Sequence, residues 1–281
     1  MHYAETRPAP ALERYVECYW SLEAEAGEAS RETVMPDGCV EVVANFGRPF
    51  LRCDGGSKEE QRELIAAGQI RCALELEPTG RVELFGIRFQ PAGAGMFLDV
   101  PMAELSGAIP ALEDLAPSLA RSLGATLGER FGLSARARAA DALLLARLQE
   151  PRALMALAEA ATTRLVAAHG RRTIDRLADD LGVGTRRLER SFRRYVGLTP
   201  KQLSGILRFQ RVFQLLEARV PPALSELALD CGYYDQAHFA REFRRFAGRN
   251  ATSALAQVPG WAQYLTRAQR GVGFLQDGGA R

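Results

Sequence analysis

An internal repeat towards the end of the chain constrains its fold more than any other feature of the sequence. The segment IDRLADDLG at 174–182 aligns with LSELALDCG at 224–232 at an offset of 50 residues. At an offset of 51, Leu188, Phe192, Arg193, Arg194, Tyr195 and Gly197 match Phe239, Phe243, Arg244, Arg245, Phe246 and Gly248. Each unit predicts a helix, a turn at glycine and a second helix, which is a helix-turn-helix present twice.

The second helix of each unit is predicted to have an apolar face and a polar face, since successive residues turn by about 100°. The apolar stripes are Leu188, Phe192 and Tyr195 in the first unit and Phe239, Phe243 and Phe246 in the second. The polar faces hold Arg186, Arg187, Glu189, Arg190 and Arg193, and then Gln236, Ala237, His238, Arg241 and Arg244. Asp235 stands where an N-cap belongs.

The polar faces carry side chains that can read base edges in a major groove. Arginine pairs with guanine, glutamine with adenine and glutamate with cytosine. Other basic side chains suit phosphates, which position a protein without specifying sequence; these are Arg187, Arg193, Arg194, Lys201, Arg244 and Arg245. Arginines outside amphipathic helices can also be plain solvated surface. Two homologous units that share the same stripe, turn and basic face favour nucleic acid instead.

A long helix is predicted between the two units. It starts at Pro200, a residue that suits the first turn of a helix, and continues to Leu216. About 17 residues at ~1.5 Å each span roughly 25 Å. A helix of that length can hold two recognition helices near the ~34 Å spacing of successive major-groove segments.

Length and charge divide the chain into two parts. A chain of 281 residues favours two domains, and 47% hydrophobic with 25% charged residues is ordinary for a globular protein. Residues 1–169 carry 17 Arg and Lys against 24 Asp and Glu, whereas residues 170–270 carry 18 against 9. The basic part is therefore the one expected to meet an anionic polymer.

The sequence shows no sign of a membrane or secretory destination. No apolar run approaches the roughly 18–20 residues of a membrane span. The N-terminus lacks the basic start and apolar stretch of a secretory signal. We expect a cytoplasmic, nucleoid-associated protein.

The first part of the chain is predicted to be rich in strands at residues 15–90, where aromatic and β-branched residues alternate between turn signals. One helix is predicted to interrupt these strands at Lys58–Ala67. From Pro91 to His169, leucines and alanines at helical spacing predict helices that either cover the β-rich part or form a dimer surface.

These patterns predict an α+β fold in four parts. A β-rich domain, to which the resemblance given below assigns a sensor-like role, occupies 1–110, and a helical linker or dimerisation region occupies 111–169. An all-α double helix-turn-helix domain for DNA binding follows at 170–265, and a flexible tail at 266–281.

Cysteine and histidine usage points away from catalysis. The five cysteines are Cys18, Cys39, Cys53, Cys72 and Cys231, an odd number without a CxxC pair, which we interpret as free, mostly buried thiols. The three histidines lie far apart in sequence, and no GxSxG, P-loop or GxGxxG motif occurs. The sequence therefore predicts no catalytic site, no metal and no cofactor.

Residues 170–255 resemble the DNA-binding domain of the AraC/XylS family of bacterial transcription regulators. The match rests on Ile174-x-x-Leu-Ala, Leu188-x-Arg-x-Phe192, Gly197-Leu-Thr-Pro200, Arg208-x-x-Arg211 and the run from Leu224 through Cys231-Gly-Tyr to Phe239, Phe243 and Gly248. The resemblance implies base contacts from Arg186, Glu189 and Arg190, and from Gln236, Ala237, His238 and Arg241. The chain departs from the family at Gly248-Arg-Asn-Ala251, where a proline is usual, and Asn250 or Thr252 is expected to cap the last helix instead.

The N-terminal part resembles an uncharacterised β-rich domain found ahead of such DNA-binding units. The resemblance rests on Tyr19-Trp20-Ser-Leu, Met35-Pro-Asp-Gly-Cys39 and the stretch 80–89. It implies a role similar to that of the cupin-like sensor domains of the family, built as a barrel or a sandwich, which bind small effectors and in many cases dimerise.

Four side chains are candidates for binding an effector, because residues of these kinds stack on ligands or pair with them; they are Trp20, Asp37, Arg88 and Phe89. Trp20 and Phe89 can also be core residues, and Asp37 can be a turn residue. Arg88, an arginine inside a strand-like run, is the least easily explained without a ligand.

The combined features predict a sequence-specific DNA-binding transcription regulator that is controlled by a small-molecule effector and is not an enzyme. Promoter DNA, RNA polymerase and a second copy of the chain are the expected partners. The alternative is a cysteine methyl acceptor resembling Ada, or a thiol-based redox sensor, fused to the same DNA-binding unit. Four of the cysteines lie in the N-terminal half, but their wide spacing and the lack of a Pro-Cys-His setting count against a methyl acceptor.

Overall fold

Two antiparallel sheets form the first part of the fold in a computed structural model that describes residues 1–54, 56–218 and 224–251. The strands are β1 (His2–Thr6), β2 (Val16–Ala24), β3 (Glu32–Val34), β4 (Glu41–Asn45), β5 (Phe50–Asp54), β6 (Ser57–Glu60), β7 (Leu64–Ala67), β8 (Leu74–Pro78) and β9 (Val82–Phe89). The larger sheet has the order β1-β2-β9-β4-β7, and the smaller sheet has the order β3-β8-β5-β6.

The larger sheet is buried on both faces. Successive side chains of its central strands point to opposite faces, and each face packs against a different core. Tyr19 and Phe85 belong to the main core on one face, whereas Trp20 and Leu84 belong to a second core on the other. The second core also takes Phe50 from the smaller sheet. The two sheets therefore face each other as a sandwich, which confirms the predicted β-rich N-terminal domain.

The predicted helix at Lys58–Ala67 is wrong. Residues 57–60 form β6, where Lys58 pairs with Cys53 and Glu60 pairs with Leu51. Residues 64–67 form β7, which pairs with β4. Helix propensity is a weak preference that tertiary context overrides, and here both short segments complete ladders with strands distant in sequence.

Helices cover the outer face of the larger sheet. They are α1 (Leu112–Leu115), α2 (Pro117–Gly128), α3 (Leu133–Leu145) and α4 (Ala153–Ala167). Asp141 of α3 accepts hydrogen bonds from the Tyr19 hydroxyl at 2.8 Å and from the backbone N–H of Ala9 at 2.9 Å. Arg136 of the same helix is buried and donates to Glu83 of β9 at 2.8 Å. Of the two roles left open by the sequence, these contacts support that of covering the β-rich part.

The last described part is the predicted double helix-turn-helix. Its helices are α5 (Ile174–Asp180), α6 (Thr185–Tyr195), α7 (Pro200–Ala218), α8 (Leu224–Asp230) and α9 (Gln236–Ala247). Helix α7 starts at Pro200 as predicted, and its 19 residues span about 28 Å. Thr199 and Gln202 form a capping box, because each side chain accepts from the other residue's backbone N–H, at 2.8 and 3.2 Å.

The helix-turn-helix part packs directly against the β-rich part, and one continuous core runs through both. The backbone N–H of Ala73 donates to Phe246 O at 2.7 Å, and the buried Gln210 donates through Nε2 to Pro36 O. The predicted boundaries at 110, 169 and 265 remain predictions. Residues 252–281, which include Thr252 and the predicted tail 266–281, lie outside the described residues. Among the described helices, none combines the length and the apolar character needed to cross a membrane.

Candidate nucleic-acid interface and inter-sheet cavity

Helix α9 has the two faces that its sequence predicts. Phe239, Phe243 and Phe246 are buried, and Phe209 of α7 packs between the last two, with ring centroids 5.2 and 5.3 Å away. The opposite side holds exposed side chains, namely Gln236, Ala237, Arg241, Arg244 and Arg245. Aromatic packing therefore fixes the helix on α7 and leaves its polar face open to solvent.

The start of α9 is held by the predicted N-cap. The Asp235 carboxylate accepts from the backbone N–H of His238 at 2.6 Å, which satisfies one of the free amides of the first turn. Tyr234, the preceding residue, has 86% of its surface exposed. Sequence reasoning missed this side chain; its position directly before the cap and two residues from Gln236 was the available signal.

His238 is less open than the other predicted base-reading residues. Its Nδ1 accepts from the backbone N–H of Tyr234 at 3.3 Å, and its ring meets that of Tyr233 edge-on at 5.4 Å. Glu242 Oε2 lies 3.9 Å from its Nε2. His238 therefore helps to shape the turn at the start of α9.

Helix α6 repeats this design. Leu188, Phe192 and Tyr195 are buried, as predicted. The side chains of Arg186, Arg187, Glu189, Arg190 and Arg193 are exposed. Six of the seven predicted base-reading residues are thus exposed on the two second helices, and His238 is half-buried.

Arg194 differs from the other predicted phosphate ligands. Arg187, Arg193, Lys201, Arg244 and Arg245 are exposed. The Arg194 guanidinium instead donates to Asp99 at 2.9 Å, across the contact between the helix-turn-helix part and the end of the β-rich part. In this arrangement Arg194 is held by a carboxylate.

Arg208, which belongs to the predicted linker-helix motif, holds α9 in place on α7. It donates to the Glu242 carboxylate at 2.9 Å and to Gly170 O at 3.1 Å. Its guanidinium also lies 5.5 Å from the ring centroid of Tyr233. One side chain therefore connects α7, α9 and the segment between α4 and α5, so its role is to position helices.

A cavity of about 70 Å³ lies between the two sheets. Its walls are mostly apolar and include Trp20, Val43, Phe50, Ile65, Leu76 and Leu84. Polar residues at its edge are Glu41, Asn45, Gln61 and Arg62. A largely apolar cavity with a few polar groups is the usual composition of a small-molecule site.

The four predicted effector residues do not all lie at this cavity. Trp20 lines the cavity, while Phe89 points to the other face of the sheet, in the main core, 5.8 Å from the Phe97 ring. Arg88 is completely buried and pairs with Glu41, with Asp37 Oδ2 3.7 Å from its Nε. Trp20, Arg88 and Asp37 therefore lie at or beside the cavity, and Phe89 does not.

The Arg88 cluster sets two carboxyl groups, those of Asp37 and Glu41, beside one guanidinium. Glu41 lines the cavity and contacts Arg88, and most of its side chain is buried away from water. Burial raises the pKa of the Glu41 carboxyl, the nearby Asp37 adds to that rise, and Arg88 opposes it. Asp37 also accepts from the Cys39 backbone N–H at 2.9 Å, so the predicted turn role of Asp37 and its place in the cluster coexist.

All five cysteines are free thiols. Cys18, Cys39 and Cys231 are buried, Cys53 is half-buried and Cys72 is exposed. Within the described residues, no group of three or more His, Cys, Asp or Glu side chains is arranged to hold a metal ion.

Two protein families match separate parts of the chain. Residues 4–109 match a family described as a domain of unknown function (DUF6597), and residues 177–257 match the helix-turn-helix domain family. These matches agree with the two resemblances inferred from the sequence, one on each side of the helices α1 to α4.

Individual proteins also resemble the chain. The HTH-type transcriptional regulator ArgR of Pseudomonas aeruginosa is 33% identical over 76 residues, which are 27% of this chain and 23% of ArgR. The chain thus matches less than a quarter of that relative's length. ToxT of Vibrio cholerae has a TM-score of 0.45 at 10% identity, covering 85% of this chain and 99% of ToxT. The unsaturated fatty acid-bound form of ToxT has a TM-score of 0.43 at 9% identity, covering 84% of this chain and 94% of ToxT.

Proposed function

From the AraC-type helix-turn-helix domain at residues 177–257, we propose that the chain is a sequence-specific DNA-binding transcription regulator. The observation that carries this proposal is the pair of outward polar faces on α6 and α9, each fixed by a buried aromatic stripe. Both helices lie in the basic part of the chain.

The exposed side chains match the chemistry of base reading. Arg186, Arg190 and Arg241 suit guanine, Gln236 suits adenine and Glu189 suits cytosine. Helix α7, at about 28 Å, separates the two units by a length close to the ~34 Å between successive major-groove segments. The exposed arginines and Lys201 around these faces contact the phosphates.

A small molecule in the N-terminal domain controls this binding. The cavity between the sheets provides the space for it, and the contacts of the β-rich part with α6, α7 and α9 provide the connection. A ligand that binds two arrangements of these parts unequally shifts the balance between them, and with it the affinity for DNA.

The test is fluorescence anisotropy with DNA from upstream of the protein's own gene, measured over a salt series. We expect nanomolar-range, sequence-selective binding with a steep salt slope, because phosphate contacts release counterions. An unrelated duplex of the same length and base composition is the control. Equal binding to both duplexes, with and without a small molecule bound in the N-terminal domain, would contradict the assignment of α6 and α9 as base readers.

A further inference from the structure

Trp20, which lines the inter-sheet cavity, has an unused hydrogen-bond donor. Trp20 is buried, with 1% of its surface exposed, and its Nε1 has no hydrogen-bond partner among the described residues. A buried donor without an acceptor has lost the hydrogen bond that it makes to water in the unfolded chain. Since Trp20 lines the cavity, an acceptor on a bound molecule, such as the π face of a ring, would recover part of that loss.

The sheet register shows why the indole faces this space. Trp20 of β2 lies opposite Gly86 of β9, and Gly86 lies opposite Val43 of β4. A Cβ at Gly86 would come within 2.0 Å of the indole Cε2 and 2.2 Å of Nε1, so the indole lies over this glycine. It therefore extends along the row towards Val43, which also lines the cavity.

The second polar feature of the cavity is a carboxylate. Glu41 precedes Val43 by two residues on β4, so it lies on the same face of the sheet, and 15% of its side chain is exposed. Glu41 and Asp37 share the buried guanidinium of Arg88, so the cluster carries an excess of negative charge beside an apolar space when both carboxyls are ionised, and a bound ammonium group favours the ionised form of Glu41. Such a field favours a cation and disfavours a carboxylate. Arg62, at the edge of the cavity, is exposed to solvent.

We propose that this cavity binds a small ring-bearing amine. Its ammonium group lies at Glu41 and its ring lies between the two sheets, where the π face of the ring accepts the hydrogen bond of Trp20 Nε1. This inference rests on the proposed effector control and specifies the chemical class of the effector.

Isothermal titration calorimetry on the full chain, without DNA, tests the proposal with three probes of similar shape. These are benzylamine (a cation), benzyl alcohol (neutral) and benzoate (an anion). We expect benzylamine to bind at least tenfold more tightly than the other two. If benzoate or benzyl alcohol bound as tightly as benzylamine, or if none of the three bound, the proposal would be overturned.

Two variants locate the binding. Glu41→Gln should reduce the affinity for benzylamine to that for benzyl alcohol. Because this change also removes a partner of Arg88, Ala67→Leu serves as a second variant; Ala67 lines the cavity opposite Glu41, so its larger side chain fills the space without altering the charges. We expect Ala67→Leu to abolish binding, and unchanged binding in a folded Ala67→Leu protein would contradict the site.

A fluorescence signal reports on the cavity directly. Trp261→Phe leaves Trp20 as the only tryptophan of the chain. Benzylamine should then change the Trp20 emission with the same dissociation constant as in calorimetry, and an unchanged emission would place the amine elsewhere. Since neither readout contains DNA, failure of the amine to bind is separable from failure of the protein to read an operator.

Discussion

At the scale of single residues, Arg190 on α6 and Arg241 on α9 give the sharpest test of base reading. Both are exposed on the outward faces. We expect Arg190→Ala and Arg241→Ala each to cost about 1–3 kcal/mol of binding at the cognate site and to relax specificity at one base position. Anisotropy titrations with the operator and with single-base variants measure both effects.

Arg138→Ala is a matched control for these two variants. Arg138 is an exposed arginine on α3, so its replacement removes the same charge from a helix outside the double helix-turn-helix. It should leave operator affinity unchanged. If Arg190→Ala and Arg241→Ala both bound the operator like the unaltered protein, the recognition assignment would be wrong.

The cysteines allow a second prediction at this scale. Cys72 is exposed, whereas burial raises the pKa of the Cys18 thiol well above its usual range and keeps its thiolate scarce. We expect Cys72 to react first with a thiol reagent at pH 8, Cys53 more slowly, and the three buried thiols only on unfolding. Mass spectrometry of the labelled peptides identifies the order.

Cys72→Ser should remove the fast phase of this reaction. It also tests the thiol-sensor alternative, because a sensor that uses the accessible thiol would lose its response to mild oxidation in this variant. Fast labelling of Cys18, Cys39 or Cys231 in the folded protein would contradict the observed burial.

Single residues differ in how far the sequence could predict their roles. The exposure of Arg186, Arg190 and Arg241 follows from helical periodicity, which acts within one element. The pairing of Arg194 with Asp99 does not, since the two residues are 95 positions apart and meet only through the fold. For the same reason, the sequence marked Arg88 as unusual without indicating that Glu41 would be its partner.

At the scale of elements, the N-cap of α9 is open to a direct test. Asp235→Ala removes the acceptor of the His238 N–H and should lower the free energy of unfolding by about 0.5–2 kcal/mol. Asp235→Asn retains an acceptor oxygen and should cost only a few tenths of a kcal/mol. Urea unfolding followed by circular dichroism compares the two, and an equal loss in both would mean that charge, not capping, is what Asp235 contributes.

Elements were predictable where their own periodicity decides them. The five helices of the double helix-turn-helix carry apolar stripes that only a helix brings together. The segment 58–67 carries no comparable stripe, and its two strands exist because β5 and β4 offer ladders to pair with. What makes this segment two strands is therefore the presence of the partner strands, which the sequence of the segment itself does not show.

At the scale of the whole molecule, the two parts share one core, and the turn 36–38 lies where they meet. On its inner side, Asp37 approaches Arg88, which in turn contacts Glu41 at the cavity. On its outer side, Gln210 of α7 donates to Pro36 O, and a Cβ at Gly38 would lie 2.9 Å from Leu203 of the same helix. The sequence predicted two parts but not this contact, which depends on their packing.

This contact leads to a prediction about coupling between the cavity and DNA. Gln210→Leu keeps a buried side chain of similar size but removes the donor to Pro36 O, so the turn loses its hydrogen bond to α7. We expect the variant to retain both DNA binding and amine binding, and to lose the change in DNA affinity that the amine produces in the unaltered protein. Coupling between two sites is typically about 1–3 kcal/mol, or roughly 5–150-fold in affinity, which anisotropy titrations resolve.

The matched control is Gln214→Leu, one turn further along α7, where the side chain accepts from Arg211 within the same helix at 3.3 Å. It should leave the coupling intact. Benzylamine is the amine for this comparison, with operator titrations in its presence and absence. If Gln210→Leu responded to benzylamine as strongly as Gln214→Leu, the signal would have to pass by the other contacts between the two parts, such as Asp99 with Arg194 or Ala73 with Phe246.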